Sequence, residues 1–238
     1  MEPTLNKKPN FIYENFKTSL RDLKKIKTYF WFSFFLFFLI AFLGSLFPIF
    51  FEEQILRLIR NLISQTRGLG PLGLIKFIMY NNMQSAFLGM TLGIFLAIFP
   101  LGIIIINAYV LGFVINKTVA VEGILILWRL LPHGIFEIPA ILISVSLGIM
   151  IGISLMKDCI KSHYKNISNL NLTLLVILSI IFLPISFIIY MAITLTKTNL
   201  RKKFFNNITL SLRIFILIVI PLLVIAGIIE GFLIFFLS

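Results

Sequence analysis

Residues 130–140 read Leu130-Leu131-Pro132-His133-Gly134-Ile135-Phe136-Glu137-Ile138-Pro139-Ala140, inside an apolar run that extends from Gly123 to Met156. His133 and Glu137 are four residues apart, so a helix sets both on one face. Pro132 suits the first turn of a helix, where no N–H is required, and a helix toward Met156 is expected to begin there. The apolar run is too long for one straight span. Pro132 therefore reads as a break: a short half-helix, a turn, then a full span from about Gly134. Ionisable groups at membrane depth cost roughly 2.5–3.5 kcal/mol each on insertion scales and face an interior or a cavity. Other parts of the chain must shelter this face.

The composition requires a membrane. Of the 238 residues, 59% are hydrophobic and 13% charged, and the mean hydropathy is +1.05. Soluble domains carry about 45–50% apolar and about 25% charged residues. The net charge of +12 does not indicate nucleic acid, because the basic residues sit between long apolar runs, as in cytoplasmic loops under the positive-inside bias. Anionic lipid headgroups are the expected partners of those loops. Cys159 is the only cysteine, which excludes an intrachain disulfide and a cysteine-based metal site.

Outward from residues 130–140, other spans and breaks can be placed. Residues 1–27 form a basic segment with seven Lys/Arg, read either as a short amphipathic surface helix (Phe16, Leu20, Leu23, Ile26) or as a solvated tail. Thr28 to Phe51 is uncharged and too long for a signal-peptide core, so it is a retained span. In residues 52–76, Ile55, Ile59, Leu62 and Ile63 share a face, which predicts a helix in the interface. Phe77 to Asn116 has no charge in 40 residues; as one helix it would be about 60 Å long. It must fold back near Pro100-Leu101-Gly102 or at Asn107. Gly89/Gly93 and Gly148/Gly152 are small-xxx-small faces that permit close packing, within the chain or between copies. Residues 166–196 are again uncharged around Pro184, and a last span runs from Ile214 to about Phe236.

Charge counting bears on topology. If 166–196 returns to the side it left, residues 1–27, 157–165 and 197–213 carry fifteen basic groups, against five in 52–76 plus Lys117. If it crosses once, the count is even. A single crossing with 107–133 re-entrant instead is the competing arrangement. The positive-inside bias favours the return, bent at Pro184, with the N-terminus cytoplasmic.

Several blocks resemble the stage II sporulation protein M family of integral membrane proteins. They are residues 131–152 (LPHGIFEIPAILISVSLGIMIG), the Asn81-Asn82 pair ahead of Ala86, Gly89 and Gly93, Asn107 with Gly112, and residues 220–232 (IPLLVIAGIIEGF) with Ala226 and Glu230. Ala108 stands where the family usually has glycine. The resemblance covers roughly residues 28–157 and 200–238, and residues 158–199 look like an insertion. It implies a non-enzymatic membrane scaffold. In spore formers the namesake holds an engulfment complex with two peptidoglycan-degrading partners.

The membrane-depth polar set is Asn81, Asn82, Asn107, Arg129, His133, Glu137 and Glu230. The family motifs match all of these except Arg129. One reading is a buried network that fixes helix register. Another is a ligand or ion site lined by Glu137, Glu230, His133 and the asparagines. Catalysis is disfavoured: His133 and Glu137 supply two metal ligands where a zinc enzyme needs three, and His163 lies in a charged loop. Ser144, Ser146 and Ser154 fit a helix packing face. The expectation is thus an all-α polytopic transmembrane bundle of five to six spans, interrupted or re-entrant near Pro132. Residues 1–27 form a basic cytoplasmic segment and 28–238 one transmembrane domain. Gly134 and Pro139 share the break and packing roles with Pro132. No metal, cofactor, nucleic acid or catalytic residue is expected. Partners are other membrane or envelope proteins, anionic lipid and a further copy of the chain; a transporter or lipid-handling role is the alternative.

Overall fold

The computed structural model describes residues 11–164 and 166–237, with the side chains of residues 126, 129–131, 133 and 235–237 outside the description. Lys7, Lys8 and Lys165 likewise lie outside the described residues, as do the side chains of Arg129 and His133. The helices are α1 (Phe11–Asp22), α2 (Lys27–Leu46), α3 (Glu52–Thr66), α4 (Pro71–Thr91), α5 (Ile98–Glu122), α6 (Leu127–His163), α7 (Asn169–Ile181), α8 (Leu183–Thr196), α9 (Thr198–Ile214) and α10 (Ile220–Leu237). Leu23–Ile26, Leu92–Ile94 and Ile124–Ile126 are short 3₁₀ turns, and Phe215–Val219 is a π-turn that joins α9 to α10. Pro221 is the second residue after that π-turn.

Helix α6 is the hub. Every residue from Ala140 to Gly152 is buried, and α2, α4, α5 and α10 pack around it. Small side chains let these backbones meet. A Cβ on Gly93, in the turn after α4, would collide with the Gly148 carbonyl, and one on Gly148 with the Gly89 carbonyl. The two small-xxx-small faces therefore pair with each other inside one chain, and neither is left for a second copy. Between α2 and α5 the same device recurs, with Gly112 against the Ala41 carbonyl and Gly44 against Tyr109.

Two ends of the bundle can be distinguished by ion pairs. At one end, Asp22 pairs with Arg213, and Asp158 with Lys203 at 2.7 Å. At the other, Glu52 pairs with Lys117 at 2.6 Å. Four helical stretches among the described residues are long and apolar enough to cross a membrane: Phe11–Leu46, Ile98–Glu122, Gly134–His163 and Thr198–Ile234. Helix α4 is less apolar but runs the same course. Its Met79 and Ile75 face Gly227 and Gly231 of α10, and its Ala86 carbonyl accepts from Ser144 of α6. At 21 residues it is about 31 Å long, the thickness of the hydrocarbon core. Helices α2, α4, α5, α6 and α10 thus connect the two ends.

Helices α7 and α8 do not form a sixth crossing. They are bent by 116° at their junction, and their 13 and 14 residues make legs of about 20 Å, too short to span. The pair leaves from the end of α6 and comes back to it: Lys197 Nζ donates to Ser162 Oγ at 3.2 Å, and Thr194 Oγ1 lies 3.2 Å from Cys159 Sγ. Ser179 and Tyr190 share a hydrogen bond of 2.6 Å across the two legs. Residues 166–196 therefore re-enter, with the bend at Phe182, two residues before Pro184.

Two expected breaks lie elsewhere. The α4–α5 reversal occurs at residues 92–97 rather than at Pro100 or Asn107. Pro100 falls in the first turn of α5, where its missing N–H is harmless. Asn107 lies inside α5 and donates Nδ2 to the Ile103 carbonyl at 2.8 Å. The helix also continues through Pro132 and Pro139, so no half-helix ends near Pro132. The discontinuity comes earlier, at Gly123, whose φ of 79° separates α5 from α6. Each proline removes only one i→i−4 bond, and the helix runs on beyond both.

Candidate functional site

Glu137 and Glu230 come together across the α6–α10 contact. They are partly buried and close enough for their carboxylates to interact electrostatically. α6 and α10 supply one acid each, and the two helices pack against each other. Gly227 and Gly231 flank Glu230 and take Met79 and Ile75 of α4 against their backbone. His133, one turn before Glu137, lies in α6 with its side chain outside the described residues.

Glu137 also borders a cleft of about 580 Å³ between α2, α5 and α6. Its walls are Phe30, Phe34, Phe37 and Phe38 from α2, Leu111 and Ile115 from α5, and residues from Leu127 to Leu142 of α6, Gly134 and Pro139 among them. Among the described residues, Asn107 and Glu137 are the polar side chains in that lining. The cleft is an apolar trough with one amide and one carboxyl partway along it, the pattern of small-molecule sites in which a few polar groups fix orientation.

The asparagines of α4 lie differently. Asn82 is half-buried, whereas Asn81 is exposed on the outer face of the helix. The expected cluster therefore divides: Glu137, Glu230 and Asn107 belong to the interior and its cleft, and Asn81 points away. Consecutive residues are about 100° apart on a helix, so with α4 covered on one side at this level Asn82 turns inward and Asn81 outward. Ser144 and Ser146 are fully buried packing residues, as their spacing implied. Ser144 Oγ donates to the Ala86 carbonyl, and Ser146 Oγ donates to the Leu142 carbonyl at 2.6 Å.

Two features were not expected from the sequence. The sequence marks α2 only as an uncharged, Phe-rich span, yet four of its phenylalanines wall the cleft. Asn116 and Tyr109 satisfy the end of α2: Asn116 Nδ2 donates to the Ser45 carbonyl at 2.8 Å, and the Tyr109 hydroxyl donates to the Phe47 carbonyl. Such terminal carbonyls have no intrahelical donor. The signal was present in the pairing of Asn116 with Lys117, which marks where α5 reaches the polar boundary.

Among known proteins, an uncharacterized protein of Methanocaldococcus jannaschii is 36% identical over 93 residues, covering 39% of this chain and 40% of its own length. The chain thus matches less than half of that relative. No solved structure matches. The family model described as stage II sporulation protein M matches residues 31–233, across all five connecting helices and the α7–α8 hairpin. By that match, this chain belongs to the stage II sporulation protein M family.

Proposed function

We propose that the chain is a non-enzymatic integral membrane scaffold that assembles other membrane or envelope proteins. The observation that supports this is the helical layer beyond one end of the bundle. Ion pairs from Asp22 to Arg213 and from Asp158 to Lys203 tie α1, α6 and α9 together. Exposed Lys17, Arg21, Lys24, Arg201 and Lys202 decorate that layer. A fixed basic surface outside the lipid suits acidic partner segments and anionic headgroups. The fifteen-to-five distribution of basic groups supports a cytoplasmic side for this layer and for the N-terminus. The test is crosslinking in native membranes followed by mass spectrometry, comparing the natural chain with an Arg201→Glu/Lys202→Glu variant. A partner recovered with the natural chain and lost with the folded variant supports the scaffold. An unchanged partner set in both overturns the role of this surface.

A second reading is favoured by the cleft between α2, α5 and α6. A trough of about 580 Å³ with Asn107 and Glu137 in its lining suits a lipid chain or another membrane-soluble molecule, and so a lipid-handling or transport role. Reconstituted binding and transport assays with Glu137→Gln and Glu230→Gln proteins test it. Full activity in both variants would remove the carboxylates from that role.

A further inference from the structure

We propose that the outer face of α4 is the contact surface for a second copy of this chain. Lys76, Tyr80 and Gln84 recur every four residues and are all exposed, as is Asn81 beside them; Tyr80 is 69% exposed. This stripe is at membrane depth. Helix α4 lies alongside α10, with Met79 on Gly227 and Phe87 on Phe215, and alongside α6, with Ala86 bonded to Ser144. From the start of α4 at Pro71, Asn81 and Gln84 are about 15 and 20 Å along the axis, near the middle of a core about 30 Å thick. The outward amides contribute to α4 falling short of the apolar character of the other four spans.

A carboxamide turned toward hydrocarbon leaves two donors and an acceptor without partners, and lipid tails offer none. Something must supply them. The amide is self-complementary, because each one carries both the donor and the acceptor that the other lacks. A second α4 related by a two-fold axis normal to the membrane would place Asn81 and Gln84 opposite the same residues of its neighbour. Such isologous contacts are the commonest form of homo-oligomer. Tyr80 adds a ring and a hydroxyl to the seam. Lys76 is five residues from the start of the helix, and its stem is long enough to carry the ammonium to the surface. The glycine faces that would ordinarily mark a dimer seam are consumed inside the monomer, which leaves the amide stripe as the seam. This inference is independent of the scaffold reading.

The test uses native membranes and the full chain in a Cys159→Ser background, which removes the single natural cysteine. Cysteines are introduced singly at Asn81, at Gln84 and, as a control, at Phe35, which is 66% exposed on α2. Oxidative crosslinking is expected to give a dimer through position 84 or 81 and none through 35. Asn81→Leu/Gln84→Leu, a change that hydrocarbon tolerates and that keeps the monomer folded, is expected to abolish the dimer in lipid nanodiscs. A monomer at all three positions overturns the proposal. So does crosslinking of 81 and 84 to a different protein, which would make α4 a heterologous contact, and so does a dimer that persists in the double leucine variant.

Discussion

Glu137 and Glu230 are two acids brought together where α6 packs against α10. Ionised together, they repel, so removing one charge lowers that repulsion. Glu137→Gln and Glu230→Gln are each expected to keep or raise the thermal midpoint in detergent. A drop of several degrees in either variant would mean that the carboxylate satisfies an essential buried donor. Asn116 is the opposite kind of residue, because it makes one specific bond, to the Ser45 carbonyl at 2.8 Å. Asn116→Ala is expected to cost about 1 kcal/mol, the net value of an ordinary hydrogen bond. Unfolding measured in mixed micelles would show this, and a change near zero would mean that water substitutes at the end of α2.

Between elements, strain and close approach govern stability. Leu96 and Ala97, at the α4–α5 reversal, are buried yet have φ values of 55° and 68°. Non-glycine residues in this region are held there by their surroundings. Here the clamp is Gly152 of α6, where a Cβ would strike the backbone of Ala97 and Gly93. Ala97→Gly relieves the left-handed strain and is expected to stabilise by about 1 kcal/mol. Gly148→Val is expected to destabilise by about 2–3 kcal/mol or to prevent assembly, because the added carbons meet the Gly89 carbonyl and Pro100. Thermal unfolding of both variants checks the pair of signs. The opposite order would mean that α4 and α6 can separate freely.

At the scale of the molecule, five connecting helices and one re-entrant pair fix which segments share a side. In a Cys159→Ser background, cysteines at Asn169 and Thr198 are expected to react with an impermeant maleimide from the same side of the membrane. A cysteine at Asn61, exposed on α3, is expected to react from the other. Opposite labelling of 169 and 198 would make α7–α8 a true crossing and reverse the side of everything after it. The α7–α8 hairpin adds a wedge at one end without changing the number of crossings.

The class of this protein was legible in its amino acids. Long uncharged runs between basic segments require membrane helices, because no other structure satisfies the backbone in lipid. The block from Leu131 to Gly152 identified both the hub helix and the family. The glycine spacing marked surfaces of close approach, and the charge count favoured the re-entrant hairpin. Tertiary structure decided the rest. Periodicity shows that a face is small or polar but not what it meets, so only packing could show Gly89 and Gly93 paired with Gly148 and Gly152. Proline lowers the stability of a helix without deciding that it ends there, and α6 runs on through Pro132. The cleft arises because α2 and α5 lie beside the first turns of α6, a relation among segments about a hundred residues apart that no local pattern encodes. Asn81 faces outward because the backbone of Met79 and the small residues of α4 won the contacts with α10 and α6.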